Sequence, residues 1–152
     1  LRTMKPTIEL WNYKHPVPEF LAQGACSIRP KKLRDDGGVE MILIDGVECM
    51  LTDGHVSNHK DWEEVSLLMV VRNDTDSWVC SKGVPQIKKQ PPGTMILLDI
   101  GHDHSLNVKR GSKGESGVWV AAIIGTFDSW PSKRDVNESI REFVERFCET
   151  PT

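Results

Sequence analysis

Histidine placement is the feature of this sequence that most directly suggests chemistry. Four of the five histidines lie in two short clusters, His55 with His59 and His102 with His104. His59 is followed two residues later by Asp61, and on a β-strand this spacing points both side chains to one face. With His104 from a later strand, they would place two nitrogens and one oxygen around a metal. This ligand set holds Fe(II) and leaves coordination positions open.

The order of the segments around these residues resembles the Fe(II)/2-oxoglutarate-dependent dioxygenases. In that family an H-x-D pair on an early strand and a distal histidine on a late strand hold the iron. Here the H-x-D pair at 59–61 is followed by an apolar strand at 67–71 and by Trp78. PGTMILLD at 92–99 is similar to the turn and strand that lead to the family's distal histidine, and HSLNV at 104–108 is similar to the distal segment. The resemblance covers 46–124 and implies that His59, Asp61 and His104 hold Fe(II).

Two further histidines, His102 and His55, are alternative candidates for the metal ligands. His102 and His104 share strand parity, so both could face the interior of a barrel. His104 is preferred because the residues after it resemble the family more closely, which leaves His102 as a turn residue or a partner of a ligand. His55 lies four residues before His59 and could border the mouth of the site.

The resemblance also implies a cation for the distal carboxylate of 2-oxoglutarate. Family members place this Arg or Lys on the strand after the distal histidine, but the strand at 118–124 has no basic residue. Lys113 is the first candidate because it follows His104 by nine residues in a Gly-x-Lys segment. Arg110 is the second candidate, and Arg72 could reach in from another strand.

Ordinary structural roles compete with these interpretations. A surface turn containing the H-x-D pair, without a metal, is common. Trp62, Trp78 and Trp119 are by default core residues. For Trp62 and Trp78 the alternative is a platform that faces the substrate, because a large amphipathic ring can serve both purposes.

The elements that must position these residues are short strands followed by one helix. Asp45-Gly46 between two β-favouring runs predicts a hairpin, and Thr52-Asp53-Gly54 predicts another turn. Segment 134–147 carries an amphipathic stripe and predicts an α-helix, with Ser132 or Asp135 as its N-cap. The apolar positions of this stripe are Val136, Ile140, Phe143, Val144 and Phe147.

Strands followed by one helix predict a sandwich or barrel. We therefore expect a mainly β fold, a double-stranded β-helix (jelly-roll or cupin-like) barrel closed by a C-terminal amphipathic helix. One domain would span 1–152, with an irregular Pro-rich part at 1–38, a barrel core at 39–127 and the helix at 132–148.

Composition excludes several classes of protein. The 152 residues carry a formal net charge of −3 with a pI of about 6.0, so there is no strong nucleic-acid signal. The longest apolar run, 66–71, is far short of the roughly 20 residues that span a bilayer. The start of the chain shows no export signal and the four cysteines form no C-x-x-C pair, which predicts a cytoplasmic protein with free thiols.

Three functional hypotheses follow. The first is a non-haem Fe(II) oxygenase, dependent on 2-oxoglutarate, that hydroxylates or demethylates an unidentified substrate. The second is a cupin-like metalloprotein that uses the histidines without 2-oxoglutarate. The third is a non-enzymatic jelly-roll binding or structural module in which the histidines are incidental.

Overall fold

The computed structural model describes residues 8–29, 37–74, 78–81, 90–107 and 117–147, which form a mainly β structure. The Cys148 thiol, Arg110 and Lys113 lie outside this part of the chain. In chain order the elements are β1 (Ile8–Lys14), α1 (Glu19–Cys26), β2 (Gly37–Ile44), β3 (Val47–His59), β4 (Val65–Asn73), β5 (Trp78–Ser81), β6 (Thr94–Asp99), β7 (His104–Asn107), β8 (Trp119–Phe127) and α2 (Lys133–Phe147).

The strands form two antiparallel sheets that share the long strand β3. The hydrogen-bonded order is β1-β6-β4-β8-β3-β7-β5, and β2 pairs with β3. The first half of β3 pairs with β8, whereas its second half pairs with β7. From β4 to β8 the chain therefore alternates between the two sheets. None of the described strands joins β1 to β5, so the predicted closed barrel is wrong for the described residues.

The hairpin between β2 and β3 forms where the sequence predicts it. Asp45 and Gly46 both have positive φ, 47° and 86°, as a type I′ turn requires. The second predicted turn, at Thr52-Asp53-Gly54, does not form, because all three residues continue β3. This is the stretch in which β3 leaves β8 and reaches β7, so the glycine lies where the strand changes its partner.

The buried side chains divide into two clusters on opposite faces of the larger sheet. β4 is buried along its length from Val65 to Val71. Leu67 and Met69 pack in the outer cluster, against both helices, whereas Leu68 and Val70 pack in the inner cluster. Burial on both faces explains why β4 is an apolar run without alternation.

Helix α2 begins and packs as the sequence predicts. The Ser132 hydroxyl accepts a hydrogen bond of 3.1 Å from the Asp135 amide, which identifies Ser132 as the N-cap. Val136 and Phe143 are buried in the outer cluster. The helix lies on the outer face of the sheet, so it does not close a barrel.

The N-terminal part, predicted to be irregular, contains a strand and a helix. β1 pairs with β6, and α1 buries Leu21 and Ala25 in the outer cluster. Pro18 occupies the N-cap of α1, a position where the missing amide of proline costs nothing. No described helix is both long and apolar enough to cross a bilayer. The cytoplasmic location stays a prediction.

Candidate metal centre

The pairing of β3 with β7 brings the two histidine clusters together. His59, the last residue of β3, lies directly opposite His104, the first residue of β7. Directly opposed residues of antiparallel strands are close neighbours on one face. The two imidazole centroids are 4.4 Å apart, with the rings tilted by 54°.

Asp61 joins this pair from just beyond the end of β3. Its amide donates a hydrogen bond of 2.8 Å to the Ile100 carbonyl, which fixes the backbone after the strand has ended. Its carboxylate Oδ2 lies 3.4 Å from Nε2 of His59 and 3.4 Å from Nε2 of His104. The expectation that strand periodicity aligns His59 with Asp61 is therefore wrong in its cause, because Asp61 is not on a strand.

Hydrogen bonds to the backbone fix the tautomer of both imidazoles. Nδ1 of His59 lies 2.7 Å from the Ser57 carbonyl, and Nδ1 of His104 lies 2.7 Å from the His102 carbonyl. A carbonyl oxygen only accepts, so each Nδ1 carries the proton and donates it. In the neutral rings the lone pairs are then on Nε2, the atoms that face Asp61. Metal-binding histidines use this arrangement, in which a hydrogen bond at one ring nitrogen orients the other.

The electrostatics of the group favour a cation. Burial lowers the pKa of His104, which favours the neutral form of its ring. A neutral ring presents an Nε2 lone pair to a carboxylate oxygen, and this contact is repulsive without a cation between the atoms. The three ligand atoms lie within 4.8 Å of one another.

The spacing of the ligand atoms also fits a metal. Adjacent octahedral ligands at about 2.1 Å from a metal are roughly 3 Å apart, close to the 3.4 Å separations here. Two imidazole nitrogens and one carboxylate oxygen on one side of an ion form the facial set suited to Fe(II).

A cavity of about 610 Å³ adjoins the three ligands. Its wall is the inner face of both sheets together with β2, and it is predominantly apolar. Trp62, which is 69% exposed, lies on its lining, as do the exposed Val39 and Met41 of β2. The other lining residues are Glu48, Met50, Thr52, Val56, Glu64, Ser66, Leu68, Val79, Leu98, Ile100, Ser105, Leu106, Trp119, Ile123 and Thr126.

The alternative ligands lie elsewhere. The His102 ring is exposed, and its Nε2 lies 3.6 Å from Asp99 Oδ2. The contribution of His102 to the site is its backbone carbonyl, which orients His104. The amide of His55 donates a hydrogen bond of 3.2 Å to Asp53 Oδ1. Neither ring belongs to the three-residue group.

The predicted anchors for 2-oxoglutarate are not among the described lining residues. Arg72 donates hydrogen bonds to Asp74 and to the carbonyls of Ala25 and Ile28 at the end of α1. Through these bonds the Arg72 guanidinium connects β4 to the end of α1. The side chain of Trp78 lies outside the described part of the chain, although its backbone pairs with β7.

Sequence reasoning missed two features of the site. The first is the pair of carbonyls, from Ser57 and His102, that orient the ligands. The spacing is the sequence signal for these carbonyls, because each belongs to the residue two positions before the histidine that it orients. The second concerns Trp119: its assignment to the core is confirmed, but the sequence did not show that it also lines the cavity.

Comparison of the chain with protein-family models, with curated proteins and with solved structures finds no match.

Proposed function

We propose that the protein is a non-haem Fe(II) oxygenase built on a double-stranded β-helix. The observation that carries the proposal is the convergence of His59, Asp61 and His104 with both Nδ1 atoms tied to backbone carbonyls. Bound Fe(II) would supply the activation of molecular oxygen, and the reaction would hydroxylate or demethylate a substrate in the adjoining cavity.

The fold part of the proposal is supported by the strand order. Consecutive strands from β4 to β8 belong to alternate sheets, as in a jelly roll. The ligands lie where β3 and β7, both in the smaller sheet, meet at the mouth of the space between the sheets.

The chain's own residues would perform three tasks. The backbone bonds of the two rings hold both Nε2 atoms in one orientation, so little reorganisation is needed when a metal binds. Asp61 supplies the negative charge that offsets part of the charge of a dication. The apolar wall, which includes Leu68 and Leu106, keeps water from the reacting groups.

2-Oxoglutarate is the proposed co-substrate because three metal positions remain open on the side opposite the triad. A dicarboxylate in an apolar cavity needs a cation for its distal end. Lys113, with Arg110 as its alternative, is the proposed anchor, and both lie outside the described residues. Arg72 is the third alternative and would have to give up its bonds at the end of α1.

A second candidate, a cupin-like metalloprotein that does not use 2-oxoglutarate, is favoured by the charge of the cavity. The described lining contains the carboxylates of Glu48, Asp61 and Glu64 and no lysine or arginine. Such a lining repels an anionic co-substrate, but it does not affect the ability of His59, Asp61 and His104 to bind a metal.

Anaerobic titration distinguishes these candidates. We expect Fe(II) to bind in a 1:1 ratio, and we expect 2-oxoglutarate to give the metal-to-ligand charge-transfer absorbance of its chelate. Iron binding without that absorbance, and without succinate after exposure to air, would support the cupin-like candidate. No iron binding would contradict both and leave a non-enzymatic binding module.

A further inference from the structure

A β-bulge in β8 directs a hydroxyl group into the cavity. Ile123 lies opposite Leu68, but the next pair of the ladder skips one residue of β8 and begins at Gly125. The following residue, Thr126, therefore lies opposite Ser66. Bulges change the direction of side chains and are over-represented next to active sites. Because Ile123 and Thr126 both line the cavity, the extra residue keeps the end of β8 directed inward.

Ser66 carries a second hydroxyl that faces the cavity from β4. It alternates with Leu67 of the outer cluster and shares the inner face of β4 with Leu68. The residue is 7% exposed, and its Oγ makes no hydrogen bond within the described part of the chain. This Oγ is not closed off by neighbouring atoms, so a ligand in the cavity can reach it. Buried polar groups are nearly always paired, and a ligand would supply the missing partner.

Glu64 adds a carboxylate to these two hydroxyls. It lies two residues before Ser66, and both residues line the cavity. Its backbone carbonyl accepts a hydrogen bond of 3.0 Å from the Ile100 amide, which continues the pairing of β4 with β6 and keeps Glu64 on the face of Ser66. Glu64 is half-buried and forms no ion pair within the residues that the structure describes. Oxygen atoms of Glu64, Ser66 and Thr126 therefore form one polar patch in a mainly apolar wall.

The charge of the lining determines what this patch would bind. Carboxylates of Glu48, Asp61 and Glu64 line the cavity, and its described residues include no lysine or arginine. Even with a bound dication, these three carboxylates leave one negative charge. An ammonium group has one positive charge and three N–H donors but no acceptor, which matches one carboxylate and two hydroxyl oxygens. An anionic ligand would instead be repelled.

We propose that the cavity binds a primary alkylammonium ion, which donates its N–H groups to Glu64, Ser66 and Thr126. The half-buried Glu64 and the exposed Thr126 keep the charged end close to water. The alkyl chain packs on the apolar wall that includes Leu68 and Leu98. That this amine is a substrate of the metal centre rests on the proposed function, but its binding needs only the cavity.

The test uses metal-free protein and three probes with the same six-carbon chain. Hexylamine is protonated at neutral pH, hexanol is neutral and hexanoate is anionic. Binding is followed by the methyl signal of Met41, which lies in the lining. We expect hexylammonium to bind about tenfold more tightly than hexanol, and we expect hexanoate to bind most weakly. A preference over hexanol below about threefold, or no hexylammonium binding, would overturn the inference, because no hydrogen bond to a charged group would then contribute.

Paired variants separate the polar patch from the general charge of the protein. Glu64→Gln keeps the shape of the side chain and should weaken hexylammonium binding about tenfold, equivalent to about 1.4 kcal/mol. Ser66→Ala should weaken it about fivefold, because one hydrogen bond is lost. The control is Glu63→Gln, which removes the same charge from an exposed neighbour outside the described lining and should change binding less than about twofold. Equal weakening in Glu63→Gln and Glu64→Gln would overturn the inference.

Wild-type protein alone also decides the question if the variants do not fold. Through-space NMR contacts should join the methylene next to the ammonium nitrogen to the methyl group of Thr126. Bound hexylammonium without this contact would overturn the inference, because its charged end would then lie elsewhere. Since metal is absent throughout, failure of iron binding would contradict the proposed function without altering this result.

Discussion

Replacing Asp61 by Asn tests the metal centre most directly, because the change keeps the shape of the side chain and removes only its charge. The carboxylate is 35% exposed, so the dielectric constant of water gives a lower bound on its interaction with a bound ion. For one negative charge about 2.1 Å from a dication this bound is about 4 kcal/mol. Asp61→Asn should therefore weaken metal binding roughly a thousandfold.

Thermal unfolding converts this difference into a simple measurement. At a metal concentration of 100 times Kd, binding stabilises the folded wild type by about 2.7 kcal/mol. For a domain of this size the corresponding rise in Tm is roughly 5–11 °C. At the same concentration the Asp61→Asn variant would gain less than about 0.1 kcal/mol, and its Tm would stay constant. Fe(II) under anaerobic conditions is the first ion to use, with Mn(II) and Co(II) as air-stable substitutes.

Asp99→Asn provides the matched control. Asp99 also faces a histidine, with its Oδ2 3.6 Å from His102, but it is outside the three-residue group. The metal-dependent rise in Tm should persist in this variant. An equal rise in Asp61→Asn and wild type would show that the ion binds elsewhere, and no rise in wild type would refute the metal centre.

Three other predictions test the packing, a buried thiol and the co-substrate. Phe143→Ala should lower the free energy of unfolding by about 3–5 kcal/mol in a urea titration, because the Phe143 ring is only 6% exposed. The control is Glu142→Ala, which removes an exposed side chain and should change the free energy of unfolding by less than about 0.5 kcal/mol. A small loss for Phe143→Ala would show that α2 is peripheral. Burial raises the pKa of the Cys49 thiol from 9.0 to about 11, so the stability that this group contributes is present below pH 9 and is lost as pH rises toward 11. Urea titrations at pH 8 and pH 10 should show a loss about 1.3 kcal/mol larger in wild type than in Cys49→Ala, and equal losses would contradict the shift. Lys113→Ala should weaken 2-oxoglutarate binding sharply while leaving Fe(II) binding nearly intact, with Arg110→Ala as the control; unchanged 2-oxoglutarate affinity would remove Lys113 from the site.

The sequence predicts those parts of the fold whose signals are local. Asp45-Gly46 determines its own turn, because both residues adopt positive φ more readily than most. The stripe that includes Val136 and Phe143 predicts α2 and its buried face, because helical periodicity depends only on neighbouring residues. The sequence offers both Ser132 and Asp135 as the cap, and the bond from the Asp135 amide to the Ser132 hydroxyl selects Ser132.

Features that depend on distant pairing are not visible in the sequence. Asp53-Gly54 has the composition of a turn, but pairing with β8 before it and with β7 after it keeps both residues in β3. The position of Asp61 depends on a hydrogen bond to Ile100, which is remote in sequence. The closed barrel was wrong for a similar reason, because the partners of edge strands are determined by tertiary contacts.

The change of partner along β3 also explains how one strand contributes to two cross-strand pairs that line the same cavity. Thr52 lies opposite Trp119 in the larger sheet, and His59 lies opposite His104 in the smaller sheet. Seven residues of extended strand span at most about 23 Å, and the register shift before His59 shortens this distance. Had a turn formed at Asp53-Gly54, the two pairs would not share a strand. Because it does not form, a single strand carries one residue of each pair, and all four residues line the cavity.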